Sequence, residues 1–395
     1  MRPPRSSSAS AACSEGSSEV KERVVVGMSG GVDSSVAAAR LVADGYDVVG
    51  VTLRVWPWKE PDDATRRFGS CCSAETVDDA RAVARRLGIP YYLLNSEEEF
   101  DRVVIDRFVS EYREGRTPVP CVACNRDLKF GSLLRRAAAW DAVAVATGHY
   151  ARVTRDPLTG RALLWKGADP SKDQSDFLWP LTQAQLVAAR FPIGHLTKDA
   201  VRATARELGL VTADKPDSQE ICFIPDDDYR GFLRRRQPEM FRPGRIVDTT
   251  GAVQGQHAGI ANFTIGQRRG LGLTGDRPRY VVDLDPETET VVVGAATDLE
   301  RDRLIATDVN FIAGDPPPEP IRVEARIRHR HVPAPATVRA EADGSASVIF
   351  DEPQRAVTPG QSVVWYQGDL VIGGGVIARA LTARTSSDSF HKPSA

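Results

Sequence analysis

Three consecutive valines, Val24, Val25 and Val26, run straight into the glycine-rich turn Gly27–Gly31, and a helix pattern follows from about Val32 to Ala43 until Asp44-Gly45 stops it. The same order recurs along the chain. A β-rich run, Asp47–Val55, is followed by a helix pattern through Ala74–Leu87 and a strand at Tyr91–Leu94. Helices near Asp101–Arg113 and Arg126–Trp140 precede the apolar run Ala142–Ala146, which ends in Thr147-Gly148-His149. Strands alternating with helices predict a parallel sheet covered on both faces, an α/β fold of the Rossmann-like, doubly wound kind. Ligands of such sheets sit beyond the carboxyl ends of the strands. Ser29–Ser35, Leu53 and Gly148-His149 all fall at or near such ends, so one pocket could draw on all three.

After Pro225 the texture changes to short β-like pieces separated by Gly and Pro. The expected organisation is a nucleotide-binding catalytic domain over 21–225, a small β-rich domain over 226–302 and a C-terminal β-barrel over 303–383. Flanking tails are expected at 1–20 and 384–395. The chain's 395 residues suit two or three such units, and 42% hydrophobic residues give ample core. No apolar stretch approaches the roughly 18 residues of a spanning helix, so a soluble protein without a membrane partner is expected. Net charge is −2, so any nucleic-acid binding must come from local basic patches. Six cysteines in so long a chain do not make a secreted disulfide framework, which points to a reducing, cytoplasmic setting. Residues 1–20 are Ser/Ala-rich with Arg2 and Arg5 and no acid before Glu15; they read as a disordered tail, or as an organellar transit peptide.

The string Ser29-Gly30-Gly31-Val32-Asp33-Ser34-Ser35 follows a strand and opens a helix. Its glycines let successive N–H groups curl around an anion, and the helix N-terminus adds partial positive charge. Ser29, Ser34 and Ser35 can donate further hydrogen bonds to phosphate oxygens. Asp33 sits badly beside phosphates unless it caps the helix or meets a metal ion. The loop lacks the lysine of a Walker-type sequence, which tilts the reading away from terminal-phosphate transfer.

Cys121 and Cys124 form a Cys-x-x-Cys after a Pro-rich turn and before a helix pattern, a place where thiol pKa values fall. Cys222 lies nearly 100 residues on, between Ile221 and Phe223. Taken alone it reads as a small buried hydrophobe. Metal binding and redox chemistry compete for the Cys-x-x-Cys pair, and no second such pair completes a zinc site. Cys71-Cys72 read as structural, and Cys13 belongs to the tail.

The strings SGGVDSS, TPVPCVACNRDLKF, TGHYARV, KDQSDFL, DSQEICFIP, ANFTIGQRRGLG and FDEPQRAVTPGQSVVWY resemble, in order, the bacterial tRNA-specific 2-thiouridylases, from about Arg23 to Ala380. The first string resembles the loop of the wider PP-loop ATP pyrophosphatase superfamily. The resemblance implies ATP bound through Gly27, Met28, Ser29, Gly30, Gly31, Val32, Asp33, Ser34, Leu53 and Gly148. It implies Cys124 as nucleophile, Cys222 as persulfide carrier and a disulfide between them during turnover. It further implies tRNA contacts from His149, from Val119-Pro120-Cys121, from Lys172-Asp173-Gln174, from Arg328 and His329, and from Gln361. The implied partners are tRNA and a persulfide donor, a cysteine desulfurase or a relay protein; the implied state is a monomer, with magnesium arriving on ATP. Many family members carry an aspartate where this chain has Cys121. Cys121, Cys124 and Cys222 would together supply three thiolates, and an iron–sulfur cubane held by three would leave one iron open to sulfide. That cluster reading stands beside the persulfide one.

Arg326, Arg328 and Arg330 alternate in VEARIRHRHV, and on a strand they would share one face, with Ile327 and His329 opposite. Arg234–Arg236 and Arg268-Arg269 are further candidates for phosphate contacts. Two other functions compete. A small-molecule PP-loop ligase or amidotransferase would be indifferent to Cys124 and Cys222, and an RNA-binding or iron–sulfur carrier protein would leave the Ser29–Ser35 loop without a task.

Overall fold

The computed structural model describes residues 21–55, 74–217, 221–224, 226–274 and 277–382. The two expected tails, Cys13 and the Cys71-Cys72 pair lie outside the described residues.

Five strands, β1 (Arg23–Gly27), β2 (Asp47–Arg54), β3 (Tyr91–Asn95), β4 (Ala142–Ala146) and β7 (Ala189–Arg190), form one sheet in the order β3-β2-β1-β4-β7. Every pairing is parallel. The valine run is explained by burial on both faces, as parallel sheets require. Val24 and Val26 pack toward helices α1 (Val32–Ala43), α2 (Ala74–Leu87) and Lys198–Glu207, while Val25 joins Phe130 and Leu133 on the opposite face. All three valines are fully buried. Strand order reverses at β1, which has β2 on one side and β4 on the other, and this opens a crevice at their carboxyl ends.

The helix expected from Arg126 starts earlier, at Pro120. Residues 120–138 are continuously helical, and the part from Cys124 to Ser132 is wound as a wider π-helix. Pro120 at the first helical position has the fixed φ and missing donor that suit a helix start. The Gln185 side chain donates to the carbonyls of Arg126 and Phe130 at 2.8 and 3.0 Å, tying the wide turns to the Gln183–Val187 helix.

Strands β8 (Gly244–Asp248), β9 (Val253–His257), β10 (Tyr280–Asp285) and β11 (Thr290–Gly294) make a small second sheet. The last six strands are β12 (Glu300–Phe311), β13 (Ile321–Arg326), β14 (Ala334–Ala340), β15 (Ala346–Arg355), β16 (Ser362–Gln367) and β17 (Leu370–Leu381). They run antiparallel in the order 12-15-14-13-16-17, and pairing of β12 with β17 closes them into a barrel. A hairpin from the first half of the chain, β5 (Ala151–Arg155) and β6 (Ala162–Lys166), extends this sheet by pairing Trp165 with Leu370. The core beneath it is shared: Val25, Phe130 and Trp179 lie in one cluster with Val364, Tyr366 and Val376 of the barrel.

One expected strand face does not form. Strand β13 ends at Arg326, and Arg330 adopts a left-handed φ of 63°, so Arg328–Arg330 lie in a turn rather than on a strand. A positive φ is incompatible with an extended strand, so the three arginines do not alternate on one surface.

Candidate active site

The crevice at the sheet's reversal point is lined by the turn after β1. Gly30 takes a φ of +70°, which glycine reaches without strain. Gly31 is the N-cap of α1 and brings no side chain, so the first-turn N–H groups, which have no partner within any α-helix, stay available to an anion. Ser34 Oγ meets Ser29 N at 3.2 Å and Ser29 Oγ at 3.3 Å, drawing the turn into a ring. The expectation for Ser35 is corrected: it is fully buried, and its hydroxyl donates to Gly31 O at 2.9 Å, so it holds the loop rather than facing a ligand. Thr52 Oγ1 donates to the Met28 carbonyl at 2.6 Å and receives Tyr91 OH at 2.8 Å, fixing the turn to β2. Gly148 closes the far side. A Cβ there would lie 2.6 Å from both Asp33 C and Ser34 N, so the loop after β4 presses directly on the start of α1.

Asp33 does not cap the helix, whose N-cap is Gly31, and among the described residues it belongs to no group of three potential metal ligands. Lys198 Nζ reaches both its oxygens at 2.8 Å, and the Tyr150 hydroxyl donates to Oδ1 at 2.8 Å. The same ammonium lies 2.8 Å from Asp217 Oδ1. Burial alone would raise the Asp217 carboxyl, but hydrogen bonds from Lys172 and Lys198 outweigh it and hold the group at about 2. Burial, then the Asp33 carboxylate, push the Tyr150 hydroxyl far above its ordinary value, so it stays a proton donor. Sequence reasoning missed Lys198, Tyr150 and Asp217. One signal was present: Lys198 follows the N-cap Thr197, and a cation in the first turn opposes the helix dipole unless an acid lies nearby.

His149 is buried, shares a 2.6 Å hydrogen bond with Thr147 Oγ1, and lies between the rings of Phe130 and Phe191. Burial first, and the Lys129 charge second, lower its pKa well below 6.5, so the ring is neutral at physiological pH. Above pH 6.5 both folded and unfolded forms are neutral; below it only the unfolded chain takes the proton, and stability falls. We expect wild type to lose about 1.4 kcal/mol more than His149→Asn between pH 7.5 and 5.5, the cost of one pH unit below the unfolded pKa. Urea unfolding at both pH values checks this, and parallel profiles would refute it.

Cys124 and Cys222, nearly a hundred residues apart in sequence, pack against the same apolar cluster. Cys121 is exposed and Cys124 half-buried in the first turns of the 120–138 helix, and Cys222 is half-buried in the short segment 221–224. Phe223 anchors that segment, with its ring 5.3–5.7 Å from Phe108, Phe232 and Phe100. Cys124, Cys222 and Leu53, from the end of β2, all pack against this one apolar cluster. Asn125, beside Cys124, is buried and held by Phe177 O at 3.2 Å and Lys129 Nζ at 3.0 Å. Among the described residues no three Cys, His, Asp or Glu side chains are grouped as a metal would require. Cys121 is exposed, whereas Cys124 and Cys222 are half-buried against the apolar cluster.

Further contacts join segments of the first half of the chain to the barrel. Arg326 ion-pairs with the buried Asp173 at 2.9 Å, and His329 Nδ1 meets Asp176 Oδ2 at 2.9 Å with its ring 4.8 Å from Phe177. These contacts seat Arg328 and His329 beside Lys172–Gln174. Gln361 donates to Thr117 O at 2.8 Å, clamping the barrel to the strand of chain that leads into Val119 and Cys121. Arg236 is occupied by Asp101 and Asp106, and Arg234 lies over Phe241, so two of the three arginines in that run have protein partners.

Three family models cover this arrangement. Residues 22–226 match the tRNA methyl transferase HUP domain, 230–295 the tRNA methyl transferase PRC-barrel domain, and 301–377 the aminomethyltransferase beta-barrel domain. The tRNA-specific 2-thiouridylase MnmA of Acetivibrio thermocellus is 51% identical over 358 residues, 90% of this chain and 99% of that protein. The chain belongs to the tRNA-specific 2-thiouridylase family. Similar 2-thiouridylases from Symbiobacterium thermophilum (51% identical; 93% of this chain and 94% of that protein) and Clostridioides difficile (48%; 92% and 99%) match at comparable length. As in the sequence reading, this 2-thiouridylase-family chain joins an α/β domain with a parallel sheet to a closed antiparallel barrel. No described helix is long and apolar enough to cross a membrane.

Proposed function

We propose that this chain catalyses ATP-dependent 2-thiolation of the wobble uridine of tRNA. The observation that carries the reading is the shared packing of Cys124, Cys222 and Leu53 at the carboxyl edge of the sheet that holds the phosphate turn. The 2-carbonyl of uracil is a poor electrophile, because its oxygen leaves badly. Attack of that oxygen on the α-phosphorus of ATP forms an adenylated base and expels pyrophosphate, which the N–H groups of the Gly30–Ser34 turn stabilise. The terminal sulfur of a Cys222 persulfide adds to C2, and AMP departs. The Cys124 thiolate then attacks the Cys222 sulfur, breaking the S–S bond, and the electron pair leaves on the base as 2-thiouridine. A Cys124–Cys222 disulfide remains, and an external thiol must reduce it before a persulfide donor, a cysteine desulfurase or a relay protein, reloads Cys222.

The apolar cluster beside Cys124 and Cys222 excludes water that would hydrolyse the adenylate. Neutral His149, buried beside the turn after β4, offers a ring nitrogen for hydrogen bonding to the base without bringing a charge into the site. Lys172, Gln174, Arg328, His329 and Gln361 form the proposed RNA surface, with Val119–Cys121 nearest the target base; Asp173, expected among these contacts, is buried and held by Arg326 instead. That base must be splayed out of the anticodon stack to reach a half-buried thiol. Magnesium would ride on the phosphates; both Asp33 oxygens are taken by Lys198, so the residues beside the turn offer it no cage.

The test is incubation with ATP, magnesium, a persulfide donor and unmodified tRNA, followed by mass spectrometry of the nucleosides. Thiouridine with equimolar AMP is the expected result. ATP turnover that ignores tRNA would favour the small-molecule ligase reading instead.

A further inference from the structure

Asp33 carries negative charge into the first turn of α1, where the phosphates of the proposed substrate would lie. The charge is answered from outside the loop. Lys198, only 8% exposed, bridges Asp33 and Asp217 at 2.8 Å each. Asp217 in turn accepts Lys172 Nζ at 2.7 Å and Arg202 Nη2 at 3.0 Å. A second connection runs through Tyr150, whose hydroxyl meets Asp33 at 2.8 Å while its backbone N–H donates to Gln174 Oε1 at 3.1 Å. Asp33 is thus joined by two separate paths to the Lys172–Gln174 segment, and Asp173 between their ends is locked to Arg326 of the barrel. Asp217 also begins the stretch that reaches Cys222 five residues later.

We propose that Lys198 is a positioning residue that couples nucleotide occupancy of the Gly30–Ser34 turn to RNA binding at the Lys172–Gln174 surface; this rests on the thiolation reading above. Lys198, Lys172 and Arg202 face Asp33, Asp217 and Asp169, whose Oδ2 accepts the Lys198 backbone N–H at 3.0 Å, so three positive charges meet three negative ones before any phosphate arrives. Arriving phosphates add negative charge beside Asp33 and pull the shared ammonium toward the turn, in a site where partial burial strengthens the attraction. Asp217 is then left to Lys172 and Arg202, and it draws the Lys172 segment with it. Coupling of this kind is reciprocal, so bound RNA tightens the nucleotide by the same factor.

The experiment measures the tRNA dissociation constant of the full chain with and without a saturating non-hydrolysable ATP analogue. In wild type the analogue is expected to tighten tRNA binding about fivefold or more, the lower end of ordinary allosteric coupling. Lys198→Met and Asp217→Asn are expected to bring that ratio near one, while Lys198→Arg keeps part of it. Lys172→Met, at the more exposed end of the path, should fold even if the buried variants do not, and it should lose the ratio as well. A lysine that merely contacts phosphate would weaken both measurements alike and leave the ratio unchanged. The inference is overturned by a wild-type ratio near one while both ligands bind. It is equally overturned by a wild-type ratio retained in Lys198→Met, or in Lys172→Met should Lys198→Met fail to fold. Absence of nucleotide or tRNA binding altogether would overturn the thiolation reading and this inference with it.

Discussion

Cys222→Ser and Cys124→Ser are each expected to lower thiouridine formation by about a thousandfold or more, the scale on which loss of a covalent nucleophile acts. The two should fail differently. Cys222→Ser cannot accept a persulfide, so no sulfur is loaded from the donor. Cys124→Ser still loads Cys222 but cannot cleave the S–S bond, and the base should stay joined to Cys222 when the reaction is quenched without reductant. Adenylation needs neither thiol, so tRNA-dependent exchange of pyrophosphate into ATP should survive in both. Cys121→Ser should keep most of the activity, because the exposed Cys121 side chain does not share the cluster that Cys124 and Cys222 pack against. Thiouridine from both single variants at wild-type rates would remove the thiols from the mechanism, and loss of activity in Cys121→Ser would restore the case for a third thiolate.

Gly148→Ala should be nearly as damaging without touching a reacting atom. The new methyl would lie 2.6 Å from the Asp33 carbonyl carbon and the Ser34 nitrogen, both backbone, so neither can swing aside as a flexible side chain would. The start of α1 must move by about an ångström, and displacement of that size costs on the order of a hundredfold in rate. The loss should appear in pyrophosphate exchange as well as in thiolation, since the phosphate turn is what moves. Gly314→Ala is the matching control: a Cβ there meets nothing within 4 Å, and its rates should equal those of wild type. Normal exchange rates in Gly148→Ala would mean that the turn after β4 does not shape the nucleotide site.

The sequence made the phosphate turn readable because its function is local: glycines, a preceding strand and a following helix are all contiguous. The thiols were readable as reactive groups from the string around each one, but the shared packing of Cys124 and Cys222 depends on Phe223 seating among Phe100, Phe108 and Phe232, which no local string displays. The answer to Asp33 was invisible for the same reason. Its partners Tyr150 and Lys198 are 117 and 165 residues away, and only the packing of α1 against the Lys198–Glu207 helix joins them. The arginine alternation at Arg326–Arg330 misled because periodicity does not register a turn, and nothing in those residue types announces the positive φ of Arg330. Lys172–Gln174 and Arg328-His329 look unrelated in sequence, yet Asp173 and Asp176 bind one to the other.

The β5–β6 hairpin gives the molecule an indivisible character. Cut before β12, the first part would keep its parallel sheet but lose Val364, Tyr366 and Val376 from the cluster that covers Val25 and Trp179, and β6 would be left as a bare edge ready to pair with any passing chain. Trp179 would also lose the Ser362 hydroxyl that accepts its indole N–H at 3.1 Å. A shortened protein of this kind should therefore self-associate rather than persist as a smaller ATP-binding module. The two ends of the chain would have to evolve, fold and fail together.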